Sequence, residues 1–266
     1  MSWWGKLVGG AFGFMLGGPL GAVLGVALGH NFDKGMKGLP DEGFEPGDRE
    51  RVQMAFFTAT FSVMGRVAKA DGQVSPEEIR LAEQVMAQMD LSDDMRATAI
   101  RLFNEGKSAE FPLDDVVVQL RQECRGRTTL IRMFVEIQLQ AAYADGEFDP
   151  AEDALLLHIC SLLNISEFEF RRLQRMVGAE AHFGGAAGGQ RAAQPQGMSL
   201  ADAYAVLGVD ESTNDTEVKK AYRRMLSQHH PDKLVSKGLP EEMMKVAAQK
   251  THEIKQAYEL IKKSRG

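Results

Sequence analysis

From Leu7 to Gly29 the chain runs through 23 residues without a charged residue or any Asn, Gln or Ser. At about 1.5 Å per helical residue, such a run can cross a hydrocarbon core of about 30 Å, and it predicts a transmembrane helix over 7–29 behind a short tail, 1–6. Trp3 and Trp4 suit the headgroup layer, where an indole meets both water and acyl chain. Gly9, Gly13, Gly17, Gly21, Gly25 and Gly29 recur every four residues and form one stripe of a helix. Such a stripe lets two backbones approach closely, so a homodimer through this helix is expected. Two other readings compete. One is a cleaved leader, with Lys6 ahead of the run and Ala27-Leu28-Gly29 at its end, although the apolar stretch exceeds the usual length of about 7 to 15 residues. The other is a glycine-rich hairpin that dips into the bilayer or lies on it, because glycine inserts less well than leucine and Pro19 stands mid-segment. Lys6 on one side and Lys34 and Lys37 on the other leave the orientation undecided by loop charge.

A connector rich in Gly, Pro and Asp (30–49) leads into a helical body, 50–177. Phe57, Phe61, Met64 and Ala68 recur at helical spacing until Asp71-Gly72. A second helix is predicted from Pro76, with Ser75 as its N-cap and Glu78 completing a capping box. Shifting the sequence by 74 residues repeats the arrangement. Ala70-Asp71-Gly72 falls on Ala144-Asp145-Gly146, Ser75-Pro76 on Asp149-Pro150, and Glu78 on Glu152, while Phe61, Val63, Leu81, Val85 and Met89 fall on Val135, Ile137, Leu155, Ile159 and Leu163. Two helix-turn-helix halves, joined by shorter helices around 92–105 and 113–123, are expected to pack as one bundle.

Residues 178–197 lack apolar periodicity, are rich in Gly, Ala and Gln, and read as a flexible tether with an end-to-end distance of about 25 Å. Helical patterning resumes in 198–266. A short helix around Ala201 to Leu207 stops at Gly208. A longer one opens at Asn214 with Glu217 three residues on, and places Val218, Ala221, Tyr222 and Met225 on one face. Its other face carries Lys219, Lys220, Arg223 and Arg224. It must end near His229, because Pro231 cannot continue it and pushes His230 out of the α region. After Pro240, Ala247, Thr251, Ile254, Tyr258 and Ile261 form a seam for packing against the second helix. The fold class is therefore all-α throughout.

Composition sharpens this partition. Glycine is 27 of 266 residues, and 8 of the 27 lie in 7–29 and 6 in 178–197, so the excess belongs to the apolar segment and the tether. Residues 30–177 carry 17 Lys and Arg against 26 Asp and Glu, whereas 198–266 carry 12 against 10. An acidic body argues against nucleic acid as a partner, since phosphate binding needs a basic face. Two cysteines, Cys124 and Cys160, make neither a disulfide framework nor a zinc site.

Asp71, Glu78, Asp145 and Glu152 are weak metal candidates. An EF-hand needs oxygen ligands at alternate positions and glycine at its sixth, which D-G-Q-V-S-P-E-E does not supply. The favoured reading is structural: each Asp orders its turn and each Glu belongs to a capping box. With His158 the only histidine between His30 and His182, hydrolytic zinc chemistry has no ligand set, and no cofactor is expected. The two D-G-x-x-x-P motifs and the helices around them resemble the TerB-like helical domain, whose acidic turns have been suspected of holding cations.

The C-terminal module resembles the J domain. The resemblance rests on Tyr204, Leu207, Gly208, Val209, Lys219, Lys220, Ala221, Tyr222, Arg223, His230-Pro231-Asp232-Lys233, Ala257 and Tyr258. His-Pro-Asp alone is a weak motif; placed between K-K-A-Y-R-R and Q-A-Y-E-L-I it is specific. The resemblance implies an antiparallel helical hairpin that binds a DnaK-type chaperone through Lys219, Lys220, Arg223, Arg224, His230, Pro231, Asp232 and Lys233 and stimulates its ATPase, with the chemistry on the partner and no catalytic residue here. No Gly/Phe-rich or cysteine-rich zinc region follows the module. An apolar segment, a TerB-like body and a C-terminal J domain together are similar to the membrane-anchored DnaJ-like co-chaperones of bacteria. That similarity implies an inner-membrane anchor with a short periplasmic N-terminus and a cytosolic remainder. An envelope-stress signalling scaffold, in which the acidic body binds a signalling partner and the J domain is auxiliary, is the competing expectation. An enzyme using the four carboxylates as a metal site is a more distant one.

Overall fold

The structure, a computed structural model, describes residues 13, 18–27, 48–70, 83, 86–87, 91–143, 149–184 and 198–266. All regular structure among them is helical. Residues 18–27 form α1. The bundle follows as α2 (Asp48–Val67), α3 (Asp93–Gly106), α4 (Leu113–Glu123), α5 (Thr128–Ala142), α6 (Pro150–Leu162) and α7 (Glu167–Gly184). The C-terminal module is α8 (Leu200–Leu207), α9 (Asp215–His229), α10 (Pro231–Ser236) and α11 (Met244–Arg265), with a 3-10 turn over Glu241–Met243.

Within the N-terminal segment the described residues are 13 and 18–27. Gly13 and Gly21 would stand about 12 Å apart along a straight helix. Instead a methyl group added at Gly13 would overlap the Gly21 carbonyl and crowd Gly25, and one at Gly21 would overlap the Gly13 carbonyl. Gly13 and Gly21 of the glycine stripe thus approach one another within one chain. Gly18 stands at φ 61°, a left-handed conformation open to glycine. Gly9, Gly17 and Gly29 lie outside the described residues. The Leu20 amide donates to Gln119 Oε1 of α4 at 2.7 Å, and Leu20, Val23 and Ala27 are buried with the bundle core. Among the described residues no helix is long and apolar enough to cross a membrane.

The repeat is visible in the packing. Phe61 and Val63 of α2 and their counterparts Val135 and Ile137 of α5 are all buried. The rings of Phe56 and Phe134 meet edge to face at 6.4 Å between the two helices, a favourable arrangement of aromatic quadrupoles. Glycine sets the closest crossing: Cβ atoms at Gly65 and Gly106 would overlap the carbonyls of Phe103 and Ser62, so α2 and α3 meet backbone to backbone. The second acidic turn leads into α6 as expected. Asp149 caps it through the Ala151 amide, Pro150 stands at its first turn, and Glu152 accepts from the Asp149 amide at 3.4 Å. Glu152 is buried in this capping box, while Asp71, Glu78 and Asp145 lie outside the described residues.

One boundary is corrected. α7 continues to Gly184, past the 178 at which a tether was expected. Gly178 lies within α7 beside the Tyr143 ring, which an added Cβ would meet at an ordinary 3.4 Å.

Candidate partner-binding site

Caps and stops in the sequence build the C-terminal module. Ser199 accepts from the Asp202 amide and Asp202 reaches back to the Ser199 amide, starting α8, which ends on Gly208 at φ 64°. Asn214 accepts from the Glu217 amide at 3.0 Å and starts α9. α9 stops at His229, and His230 is extended at φ −64°, ψ 122°. Pro231 opens the six-residue α10, because its fixed φ suits a first helical position where no amide is needed. His-Pro-Asp is therefore a corner between two helices.

The corner is supported from beneath. Tyr222 of α9 and Tyr258 of α11 stack with centroids 4.1 Å apart and planes at 10°. Leu234, Leu239, Met243, Ala247, Ile254 and Ala257 are fully buried under them.

The residues singled out by the sequence come together on the outside. Lys219 and Arg223, and Lys220 and Arg224, are each one turn apart on α9, and all four are exposed. Lys220 makes a solvent-screened pair with Glu217 at 3.5 Å. The side chains of His230 and Asp232 are 49% and 84% exposed, with His230 Nδ1 4.0 Å from Asp232 Oδ2. Lys233 donates to Ser227 Oγ at 2.7 Å, tying α10 back to α9. Cationic helix and His-Pro-Asp corner are thus both exposed, as a surface that recognises an acidic protein face would need. Among the described residues no three His, Cys, Asp or Glu side chains are placed to share a metal ion.

Sequence patterning did not reveal how this module is seated. It packs on the bundle: α8 lies against α7, a Cβ at Gly238 (φ 102°) would press on Val52, and Lys237 donates to Thr129 at 2.8 Å. Beneath the corner, His229 and Lys250 reach the bundle carboxylate Glu136, with all three side chains buried. Burial alone would raise the Glu136 carboxyl; the facing charges of His229, Lys250 and Arg132 instead hold it well below its usual value. Burial likewise opposes charge on His229, yet the Glu136 carboxylate raises it. The local signal was a lone Glu in the apolar run V-E-I and a lone Lys between Ala247 and Ile254.

Three family models match along the chain: the Co-chaperone DjlA transmembrane domain over residues 1–39, Tellurite resistance protein TerB over 57–175, and the DnaJ domain over 202–265. A DnaJ domain with an exposed His-Pro-Asp corner, carried behind a TerB bundle and a membrane-anchoring segment, makes this a J-domain co-chaperone, a class that regulates a partner's ATPase and is not itself catalytic. The chain is 46% identical to the co-chaperone protein DjlA of Coxiella burnetii over 269 residues (100% of this chain, 99% of the relative). It is 46% identical to that of Photorhabdus laumondii over 276 residues, with the same coverage. To that of Escherichia coli strain K12 it is 45% identical over 272 residues, again with 100% and 99% covered. The chain belongs to the DjlA family of co-chaperones. No solved structure matches it.

Proposed function

We propose that the chain recruits a DnaK-type chaperone to the bacterial inner membrane and stimulates its ATPase, with the N-terminus periplasmic and the bundle and J module in the cytosol beside ATP. The observation that carries this reading is the joint exposure of Lys219, Lys220, Arg223 and Arg224 with His230 and Asp232. Charge on α9 steers an acidic partner surface, and Pro231 limits the entropy lost when the corner docks. Pro231, Asp232 and Lys233 are assigned to the contact and not to chemistry, because hydrolysis takes place in the partner.

The test is capture and ATP turnover with the full chain in detergent. Reversing Lys219 and Arg223 to Glu should weaken capture of a DnaK-type chaperone at least tenfold and make residual binding insensitive to salt. Capture that survives the reversal would overturn the assignment of α9. A homodimer along the glycine stripe would have to exchange the internal Gly13 to Gly21 contact for one with a second copy. Sedimentation of the full chain in detergent tests this: a dimer that Gly17→Leu disperses supports the pairing, and a monomer at every concentration contradicts it.

A further inference from the structure

A buried ionic cluster joins the two modules directly beneath the corner. Glu136 on α5, His229 at the end of α9 and Lys250 on α11 have side chains 5%, 7% and 5% exposed. His229 Nε2 lies 3.1 and 3.0 Å from the two Glu136 oxygens, and Lys250 Nζ lies 3.8 Å from one of them. His229 Nδ1 lies 3.0 Å from the Met225 carbonyl. A carbonyl and a carboxylate can only accept, so both ring nitrogens carry protons and His229 is an imidazolium. The other charged groups acting on the cluster are Arg132, on α5 with Glu136, and Arg172 on α7. Met133, Ile137, Gln140 and Val246 line the space around the cluster.

His229 is also the residue on which the corner turns. Its carbonyl accepts from Thr251 Oγ1 at 3.0 Å, so its side chain is fixed to the bundle and its backbone to α11 before the chain enters His230. We infer that Glu136 is a positioning residue for the His-Pro-Asp corner, acting through His229 and Lys250 to hold the J module in one orientation on the bundle.

The consequence follows from charge. The bundle region 30–177 is acidic, with 26 Asp and Glu against 17 Lys and Arg. A J module released from Glu136 would turn its cationic α9 toward that acidic surface for part of the time. The fraction of molecules presenting α9 to a partner then falls, and the apparent affinity falls with it. Latched, the module keeps α9 and the corner outward together. The effect on partner affinity rests on the function proposed above; the orientation itself does not.

The experiment uses the full chain in detergent, spin-labelled at cysteines replacing Ser161 on α6 and Thr216 on α9, both exposed. Cys124 and Cys160 are buried, with thiols pushed up to about 12, and do not compete for label. At about pH 6 the parent should give one narrow distance distribution. Glu136→Gln should broaden it and raise the concentration of DnaK-type chaperone needed for half-maximal stimulation at least fivefold, with the maximal rate unchanged. His229→Gln should do the same from the J-module side, and it decides the matter if Glu136→Gln lowers helicity. A narrow distribution in both variants would overturn the latch. Broadening without a change in the half-maximal concentration would overturn the positioning role. If the parent chain fails to stimulate the partner at all, the proposed function falls, while the distance measurement still decides the latch.

Discussion

The guanidinium of Arg265 lies over the ring of Tyr204, 5.1 Å from its centroid, and Nε donates to the Tyr204 hydroxyl at 2.8 Å. The same side chain donates to the Thr213 carbonyl at 2.6 Å, the Asp215 carboxylate at 2.7 Å and the Glu211 carbonyl at 2.7 Å. One planar fork thereby ties α8, the turn before α9 and the end of α11. Arg265→Ala is expected to lower the melting temperature of the J module by several degrees and to speed amide exchange over 211–215. Arg265→Lys should recover only part of this, because an ammonium cannot reproduce the fork. Unchanged exchange in Arg265→Ala would refute the clasp.

Coupling between bundle and J module should depend on pH in a definite direction. His229 is raised from its ordinary 6.5 by Glu136, so its contribution is complete below about 6.5 and lost as the pH rises through the raised value. Glu136 is lowered from 4.5 to about 2, so its contribution is present above 4.5 and lost as the pH falls toward 2. Thermal stability monitored on α9 and α11 should therefore be highest between these ordinary values and fall on the alkaline side. His229→Gln should flatten the alkaline limb, and an identical profile in that variant would count against the assignment.

The α2 to α3 crossing leaves no room for a side chain. Gly106→Ala sets a methyl group against the Ser62 carbonyl, and overpacking of this kind costs about 1–3 kcal/mol. Urea unfolding should show a loss of that size, with Gly126→Ala as a poor comparison because Gly126 is at φ 77°. Gly178→Ala is the better one, since its Cβ would meet the Tyr143 ring at an ordinary 3.4 Å and should change stability much less.

Both cysteines should be inert in the native chain. Burial pushes the thiols of Cys124 and Cys160 up to about 12, and a thiol reagent attacks only the thiolate. At neutral pH neither should react until the bundle unfolds, so labelling in denaturant offers a direct measure of bundle opening.

What was readable along the chain is what the backbone decides locally. Asn214 caps the helix it was expected to open, Asp149 caps α6 as the repeat with Ser75 implied, and α9 stops at His229 because of Pro231. The exposed cationic face also followed from spacing alone. Three things were not readable. Pro231 both ends one helix and begins the next, and its sequence context signals only the ending. Gly178 looks like a linker residue, although it lies inside α7. The Glu136 to His229 contact spans 93 residues, and no periodic pattern registers two ionisable groups that neutralise one another across so large a separation. The glycine stripe is similar, since spacing shows that backbones can approach but not which two segments do so.

The most direct measurement is steady-state ATP hydrolysis by a DnaK-type chaperone with the full chain and with His230→Gln. The His230 side chain is half exposed, and its recorded polar neighbour is Asp232 at 4.0 Å, so the substitution should leave helicity and melting temperature unchanged. The parent chain is expected to accelerate hydrolysis severalfold and the variant to return it to the unstimulated rate; equal stimulation by both would contradict a co-chaperone acting through the His-Pro-Asp corner.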